Sequence, residues 1–310
     1  MQTEGPSRRS LLLGGAAAAL MALRAGGVRA GMTSRQSILE REIPSTGERV
    51  PAIGLGTWQT FDVGAGAQRA PLRTVLDRFV ALGGRVIDSS PMYGRSEDVT
   101  GDLAADAGLH DRLFIATKVW TRGREEGIAQ MEASMRKLRV ERVDLMQVHN
   151  LLDARTHLDT LAGWKREGRI RYLGVTHYAA GAHADLERAM REHPLDFVQV
   201  NLSVAERGAS RTLLPLAAER GIAVMINRPF AEGALFRAVR GRALPAWAAE
   251  LQCRTWAQLF LKFILSHPAV TVAIPATTRV DHLRENKAAA RGPMPDEAAR
   301  AEIVAAFEAL

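Results

Sequence analysis

Eight short runs rich in β-branched residues, each followed by a longer stretch with helix-like spacing, constrain this chain more than any other feature. The runs fall at 53–57, 85–88, 113–118, 143–149, 170–176, 197–201, 222–226 and 270–274. Between them, stretches such as 72–82, 127–138 and 211–219 place apolar residues at three- and four-residue intervals, the spacing of one helix face. Eight strand-then-helix units within about 260 residues, with no linker of biased composition between them, predict an α/β fold of one kind, a (β/α)8 TIM barrel. A doubly wound sheet would need a glycine-rich phosphate turn after its first strand, and Gly54-Leu55-Gly56-Thr57-Trp58 lacks the third glycine. Segment 41–51, with turn residues Ser45 to Gly47, reads as an N-terminal β-hairpin closing the barrel floor. The long interval after the seventh run predicts an insertion at 231–250 over the rim, and 296–310 reads as a C-terminal helix.

Composition agrees with a single large domain: 310 residues, 47% of them apolar, can bury a sizeable core. The 41 basic and 34 acidic residues give a formal charge of +7, too small an excess over such a length to imply nucleic acid. The one cysteine, Cys253, allows neither an intrachain disulfide nor a thiolate metal cage, and no metal is expected.

Residues 1–30 are read as a separate segment from the barrel domain at 31–310. Arg8, Arg9, Arg24 and Arg29 against Glu4 give this leader +3 of the +7. An apolar run from Leu11 to Leu23 follows the arginine pair, and small residues surround Val28-Arg29-Ala30. The run is too short to cross a hydrocarbon core as a helix, so no stable membrane anchor is expected. The arginine pair resembles a twin-arginine export signal, with Leu11 where phenylalanine is common. That resemblance implies cleavage, the twin-arginine machinery as a partner, and a folded protein delivered to the periplasm.

Barrel chemistry sits at the C-terminal ends of strands. Asp88 ends the second run, Lys118 the third and His149 the fourth, at intervals of 30 and 31 residues, one strand-helix unit each. Neighbouring strands lie about 4.8 Å apart, so these side chains can converge at one rim. Tyr93 follows in Ser89-Ser90-Pro91-Met92-Tyr93-Gly94, where proline and glycine turn the chain back. An ammonium beside a phenol lowers its pKa, and a carboxylate holds the ammonium charged. Such a phenol, with a neutral imidazole donor, suits protonation of a carbonyl oxygen while hydride arrives at carbon. No side chain supplies hydride, so a cofactor is implied. Two other readings stand beside it: a metal-dependent barrel hydrolase using Asp88, His149 and His177, and a nucleotide-bound sensor or scaffold without turnover.

The segment Ile87-Asp88-Ser89-Ser90-Pro91-Met92-Tyr93-Gly94-Arg95-Ser96-Glu97, with Thr117-Lys118 and Gln147-Val148-His149, resembles the aldo-keto reductases over residues 38–290. The resemblance implies Asp88, Tyr93, Lys118 and His149 as a catalytic tetrad reducing a small carbonyl substrate in a monomer. It implies nicotinamide contacts from Thr176, His177 and Gln199, His177 standing where the family has Asn. It further implies that Asn227, Arg228 and Pro229 lie along a pyrophosphate, Asn227 replacing the stacking aromatic common there. Ala276, Thr277 and Asn286 fall at the adenosine end. Ala276 and His282 stand where many NADPH-specific relatives carry Lys and Arg, with Arg279 and Arg284 near enough to substitute. NADP(H) is expected in preference to NAD(H). Trp58 and Trp120, after the first and third runs, are expected to wall the substrate pocket.

Overall fold

The protein is described from a computed structural model over residues 38–310; the leader and its export motif lie outside the described residues. Two strands come first, β1 (Glu40–Ile43) and β2 (Glu48–Pro51), paired antiparallel. The Thr46 and Gly47 amides both donate to the Ile43 carbonyl, at 3.1 and 2.8 Å, which closes the predicted hairpin turn. Eight parallel strands follow in one sheet: β3 (Leu55–Gly56), β4 (Val86–Asp88), β5 (Phe114–Val119), β6 (Val143–His149), β7 (Ile170–His177), β8 (Phe197–Asn201), β9 (Ala223–Asn227) and β10 (Val270–Ala273). Each pairs with the next in sequence. The first and last meet at a seam where Gly54 N donates to Ala273 O and Ala273 N to Ala52 O, both at 2.9 Å. This is the predicted barrel.

Helices α1 (Ala70–Ala81), α2 (Ser96–Asp106), α3 (Arg124–Leu138), α4 (Ala154–Arg166), α5 (His183–Glu192) and α6 (Leu213–Arg220) each connect successive strands from β3 to β9. The predicted insertion after β9 contains the short α7 (Ala234–Ala238), then α8 (Trp256–Leu265) leads to β10. The chain ends with α9 (Val280–Ala288) and α10 (Glu297–Glu308), the latter capped by Asp296, whose carboxylate accepts from Ala299 N at 2.8 Å. An acceptor there satisfies one of the amides a helix start leaves unpaired.

Side-chain alternation along the strands sorts the barrel interior into levels. At the floor, Phe114, Leu145, Tyr172, Phe197 and Met225 pack with Ile43 and Val50 of the hairpin. The hairpin is also tied to the floor by charge: Glu48 accepts from Tyr172 Oη at 2.7 Å and pairs with Arg171 and Arg85. Above Ala116 and Leu145, which are level with each other, the next inward positions on β5 and β6 turn polar, with Lys118 level with Gln147, and above them His149 is level with Thr176. Alternate residues on those strands point to the opposite face, where the apolar side chains meet the helices. The first strand contributes no side chain on the inner side at Gly56, and a Cβ there would lie 2.8 Å from the Ile274 carbonyl. Among the described residues no helix is long and apolar enough to cross a membrane.

Candidate active site

The polar ends of β4, β5 and β6 converge on one buried ion pair. Lys118 Nζ donates to Asp88 Oδ2 at 2.7 Å and to the Ser89 carbonyl at 2.6 Å, and the two side chains are 1% and 3% exposed. Gln147 Nε2 reaches the other Asp88 oxygen at 3.3 Å. Burying an ammonium is costly without such partners. Burial acts to lower the Lys118 pKa, but the charges and hydrogen bonds of Asp88 and Tyr93 outweigh it, and the net direction is upward. Lys118 is therefore held as an ammonium.

Tyr93 is delivered by the turn after β4. Gly94 takes φ +59°, and the absence of a side chain lets the Asp62 carboxylate press against it, where a Cβ would lie 2.4 Å from Asp62 Oδ2. Asp62 accepts from Arg95 N and Arg95 Nε at 3.1 and 3.2 Å, fixing the turn. The Lys118 Nζ then lies 5.1 Å from the Tyr93 ring centroid, and the His149 ring stands edge-on to the same tyrosine at 5.9 Å. From sequence, the ammonium is expected to lower the phenol pKa. Its effect has that sign, yet the net shift is upward, because burial is the larger cause and Asp88 adds to it. Tyr93 is thus a neutral acid at ordinary pH, and Lys118 acts on the phenolate left after proton transfer.

His149 is 6% exposed, and burial, then the Lys118 charge and His177, push its pKa down to about 2. The imidazole is neutral. Its Nδ1 meets Ser90 Oγ at 3.1 Å, and that oxygen already accepts from Met92 N at 3.4 Å. When the serine hydroxyl donates to Nδ1, the ring proton is on Nε2, the tautomer that offers a donor.

Behind this group lies Glu97, which belongs to the Tyr93 motif but to which the sequence assigns no role. It is fully buried and accepts from Thr117 Oγ1 at 2.6 Å and Ser134 Oγ at 3.1 Å. It joins the start of α2, four residues past Tyr93, to β5 beside Lys118. Burial raises its pKa against those two hydrogen bonds.

A cavity of about 590 Å³ opens over the quartet. Of the residues singled out from sequence, Trp58, Asp88, Tyr93, His149, Thr176, Asn227, Arg228, Pro229 and Ala276 line it. Lys118 lies beneath. Trp120 stands at its edge, with the ring 6.5 Å from that of His149. His177, next to Thr176, falls on the other side of the pleat, and its Nδ1 accepts from Ala179 N at 3.0 Å. Gln199 is buried with its amide on Met225 Sδ at 3.1 Å. Thr277 Oγ1 accepts from Arg279 N at 3.1 Å ahead of α9, and Asn286 is buried within that helix. None of these four forms part of the cavity wall. Sequence reasoning missed Asn150, Tyr178 and Phe236, which do line it.

The wall fits a polar ligand beside a carbonyl compound. Asn150 Oδ1, Asn227 Oδ1 and Arg228 Nε are buried without a hydrogen-bond partner, and all three residues face this cavity. Two acceptors and a cationic donor left unpaired suit the amide and phosphate groups of a nicotinamide nucleotide. Arg228 also pairs with Glu232 at 2.8 Å. The Asp88 carboxylate is committed to Lys118 and Gln147, and among the described residues no three His, Cys, Asp or Glu side chains are grouped to hold a metal.

A model of the aldo/keto reductase family matches residues 52–303. Among curated relatives, the methylglyoxal reductase YeaE of Escherichia coli is 29% identical over 247 residues, covering 77% of this chain and 85% of its own length. An uncharacterized oxidoreductase of Schizosaccharomyces pombe is 32% identical over 230 residues, 69% of this chain and 72% of that protein. Among solved structures, a Klebsiella pneumoniae aldo/keto reductase in complex with NADP and acetate superposes with a TM-score of 0.70 at 26% identity, over 84% of this chain and 93% of that one. An aldo-keto reductase from the same organism, in complex with NADPH, gives 0.72 at 26% identity over 87% and 96%.

Proposed function

From the premise that this chain belongs to the aldo/keto reductase family and is an NAD(P)H-dependent oxidoreductase, we propose that it reduces an aldehyde or ketone to the alcohol with Tyr93 as general acid. The observation that carries the reading is the joint placement of a neutral phenol, a buried ammonium-carboxylate pair and a neutral imidazole against one cavity. The nicotinamide, when bound, supplies hydride to the carbonyl carbon. His149 Nε2 donates a hydrogen bond to the carbonyl oxygen and orients it. Tyr93 Oη gives that oxygen its proton, and the phenolate formed is stabilised by Lys118, which Asp88 holds charged and in place.

Asn227, Arg228 and Pro229 are the wall residues placed to hold the nucleotide's phosphates, with Thr176 near the amide end and Ala276 towards the adenosine. We assign preference for NADP(H) over NAD(H) to Arg279 and Arg284, exposed cations that share the exposed Asp281 at 3.8 Å each and have capacity to spare for a 2′-phosphate. The Klebsiella relatives bound to NADP and NADPH support that choice. The leader motif supports export in the folded state to the periplasm, with nucleotide acquired before transit. A purified periplasmic fraction containing nucleotide-free protein alone would count against that route.

The test of the function is a rate. Purified protein with NADPH, and separately NADH, should oxidise the nucleotide when an activated aldehyde is added, measured by absorbance. Tyr93→Phe should remove the activity by at least about a hundredfold, the usual worth of a positioned general acid, with nucleotide affinity kept. Comparable activity in the variant would remove Tyr93 from the acid role.

A further inference from the structure

A second hollow, of about 160 Å³, lies among the outer helices and shares no lining residue with the cavity over the quartet. Three segments enclose it. Leu202, Arg207 and Ser210 come from the connection between β8 and α6, Phe263 and His267 from the end of α8 and just beyond it, and Arg300, Ala301 and Val304 from α10. Arg300 and Val304 stand about one turn apart on α10, so that helix presents a cation and an apolar side chain to the same space. The floor is apolar, with Leu202 and Phe263 both buried. Among the described residues, none that lines the hollow is acidic.

Its polar edge is built from donors. Arg207 donates to the Val204 carbonyl and, at 2.6 Å, to Glu308, so this guanidinium is fixed and its charge is met. Arg300 differs. Its Nη1 donates to the Ser266 carbonyl at 3.2 Å, a neutral acceptor, and among the described residues no carboxylate lies within ion-pair distance of it. The guanidinium is half-buried, where solvent screens it less than at an open surface. His267 stands beside it: burial first, then the Arg300 charge, push the imidazole pKa down, and Nδ1 accepts from Ala269 N at 3.3 Å. The ring proton is then on Nε2, which is left to donate.

We propose that this hollow is a binding site for a small organic carboxylate with a short apolar body. Its carboxylate lies on Arg300 and His267, and its body lies against Leu202, Phe263 and Val304. A guanidinium fork matches the two oxygens of a carboxylate, and the anion supplies the counter-charge that Arg300 lacks. The 160 Å³ hollow has the volume of about five waters, room for a ligand of roughly six non-hydrogen atoms and too little for a nucleotide. The site is independent of the reductase chemistry, since none of its residues reaches the quartet.

Calorimetric titration of the full-length protein tests the site. Butyrate should bind about four- to sixteenfold more tightly than acetate, because each methylene buried on the floor contributes about two- to fourfold. Butan-1-ol, of similar length but uncharged, should bind at least about tenfold more weakly than butyrate. Arg300→Met should weaken butyrate binding at least about tenfold. Val304→Trp, which fills the hollow and leaves both donors in place, should abolish it. Both variants should keep the parent's rate of aldehyde reduction. Should Arg300→Met fail to fold, Arg300→Lys, which keeps the charge and loses the fork, should still weaken butyrate binding several-fold. Parental affinity in Val304→Trp or Arg300→Lys puts the anion elsewhere and overturns the proposal. Equal affinity for inorganic phosphate, or no butyrate binding by the parent, overturns it too. Butyrate binding that Val304→Trp abolishes, with no reduction of any aldehyde by the parent, would support the site and count against the reductase reading alone.

Discussion

Lys287 supplies the sharpest test of the energetics. Its side chain is buried at 2% exposure in α9, with Nζ donating to the Ile53 carbonyl at 3.3 Å and lying 5.4 Å from the Phe79 ring centroid. Burial, followed by the Arg291 charge, pushes its pKa down from 10.5 to about 8, and no carboxylate opposes them. At pH 7 the folded protein still carries the ammonium, at a cost relative to the unfolded chain of roughly 3 kcal/mol, since each tenfold loss of proton affinity corresponds to about 1.4 kcal/mol. Lys287→Met keeps an unbranched apolar side chain and removes the charge. It also loses the hydrogen bond to Ile53, worth about 1 kcal/mol. The variant should therefore be more stable than the parent by about 2 kcal/mol at pH 7, measured by urea unfolding.

The sign with pH follows from the same numbers. Between pH 8 and 10.5 the folded parent has released this proton while the unfolded chain retains it, so parental stability rises with pH through that window. The variant lacks that contribution. Their difference should shrink by roughly 2–3 kcal/mol on going from pH 7 to pH 10. A variant less stable than the parent at pH 7, or a gap unchanged at pH 10, would refute the reasoning that burial dominates at Lys287.

Three further outcomes are expected. With His149 neutral above about pH 2 and Tyr93 protonated beyond its ordinary range, the reduction rate at saturating substrate should stay flat from about pH 5 to 9; an inflection near 6.5 that disappears in His149→Gln would contradict the neutral imidazole. Asp88→Asn leaves a fully buried ammonium with uncharged partners and should cost about 3–5 kcal/mol at pH 7, a loss that recedes as rising pH neutralises Lys118; a change below about 1 kcal/mol would mean the pair is not buried as described. Gly56→Ala places a methyl 2.8 Å from the Ile274 carbonyl at the barrel seam, where backbone must move, and should destabilise by about 1–3 kcal/mol with weakened nucleotide binding; unaltered unfolding would refute the close approach.

The barrel was readable from sequence because each strand is a dense β-branched run set off by a longer amphipathic stretch, so period and length agreed. The three strand-end members of the quartet were readable for a related reason: one strand-helix unit separates Asp88 from Lys118 and Lys118 from His149, which brings each to the cavity end of its strand, two residues above the level of the one before. What escaped has no periodic signal. Asn150 sits in a turn where it and Leu151 adopt φ +53° and +54°, a backbone choice no flanking glycine announces. Tyr178 reaches the cavity from the irregular connection after β7, and Phe236 from the five-residue α7 in the insertion after β9, too short for a helical period to show. His177 and Thr176 are neighbours in the chain, yet strand alternation puts Thr176 on the wall and His177 behind it, and a resemblance read in linear order carried both to the same ligand.

The lysines have a practical consequence. The chain has five, and Lys118, Lys262 and Lys287 are at most 2% exposed, leaving Lys137 and Lys165 with side chains 36% and 38% exposed. Both occupy the last turns of their helices, α3 and α4. Helices in this architecture run back from the cavity end of the strands to the floor, so both amines sit at the pole opposite the mouth. Arginine, inert to acylating reagents, supplies the other permanently charged basic side chains of the described surface. Coupling to an activated-ester resin or a dye at these two lysines would hold the barrel by its base, with its cavity turned outward to solvent.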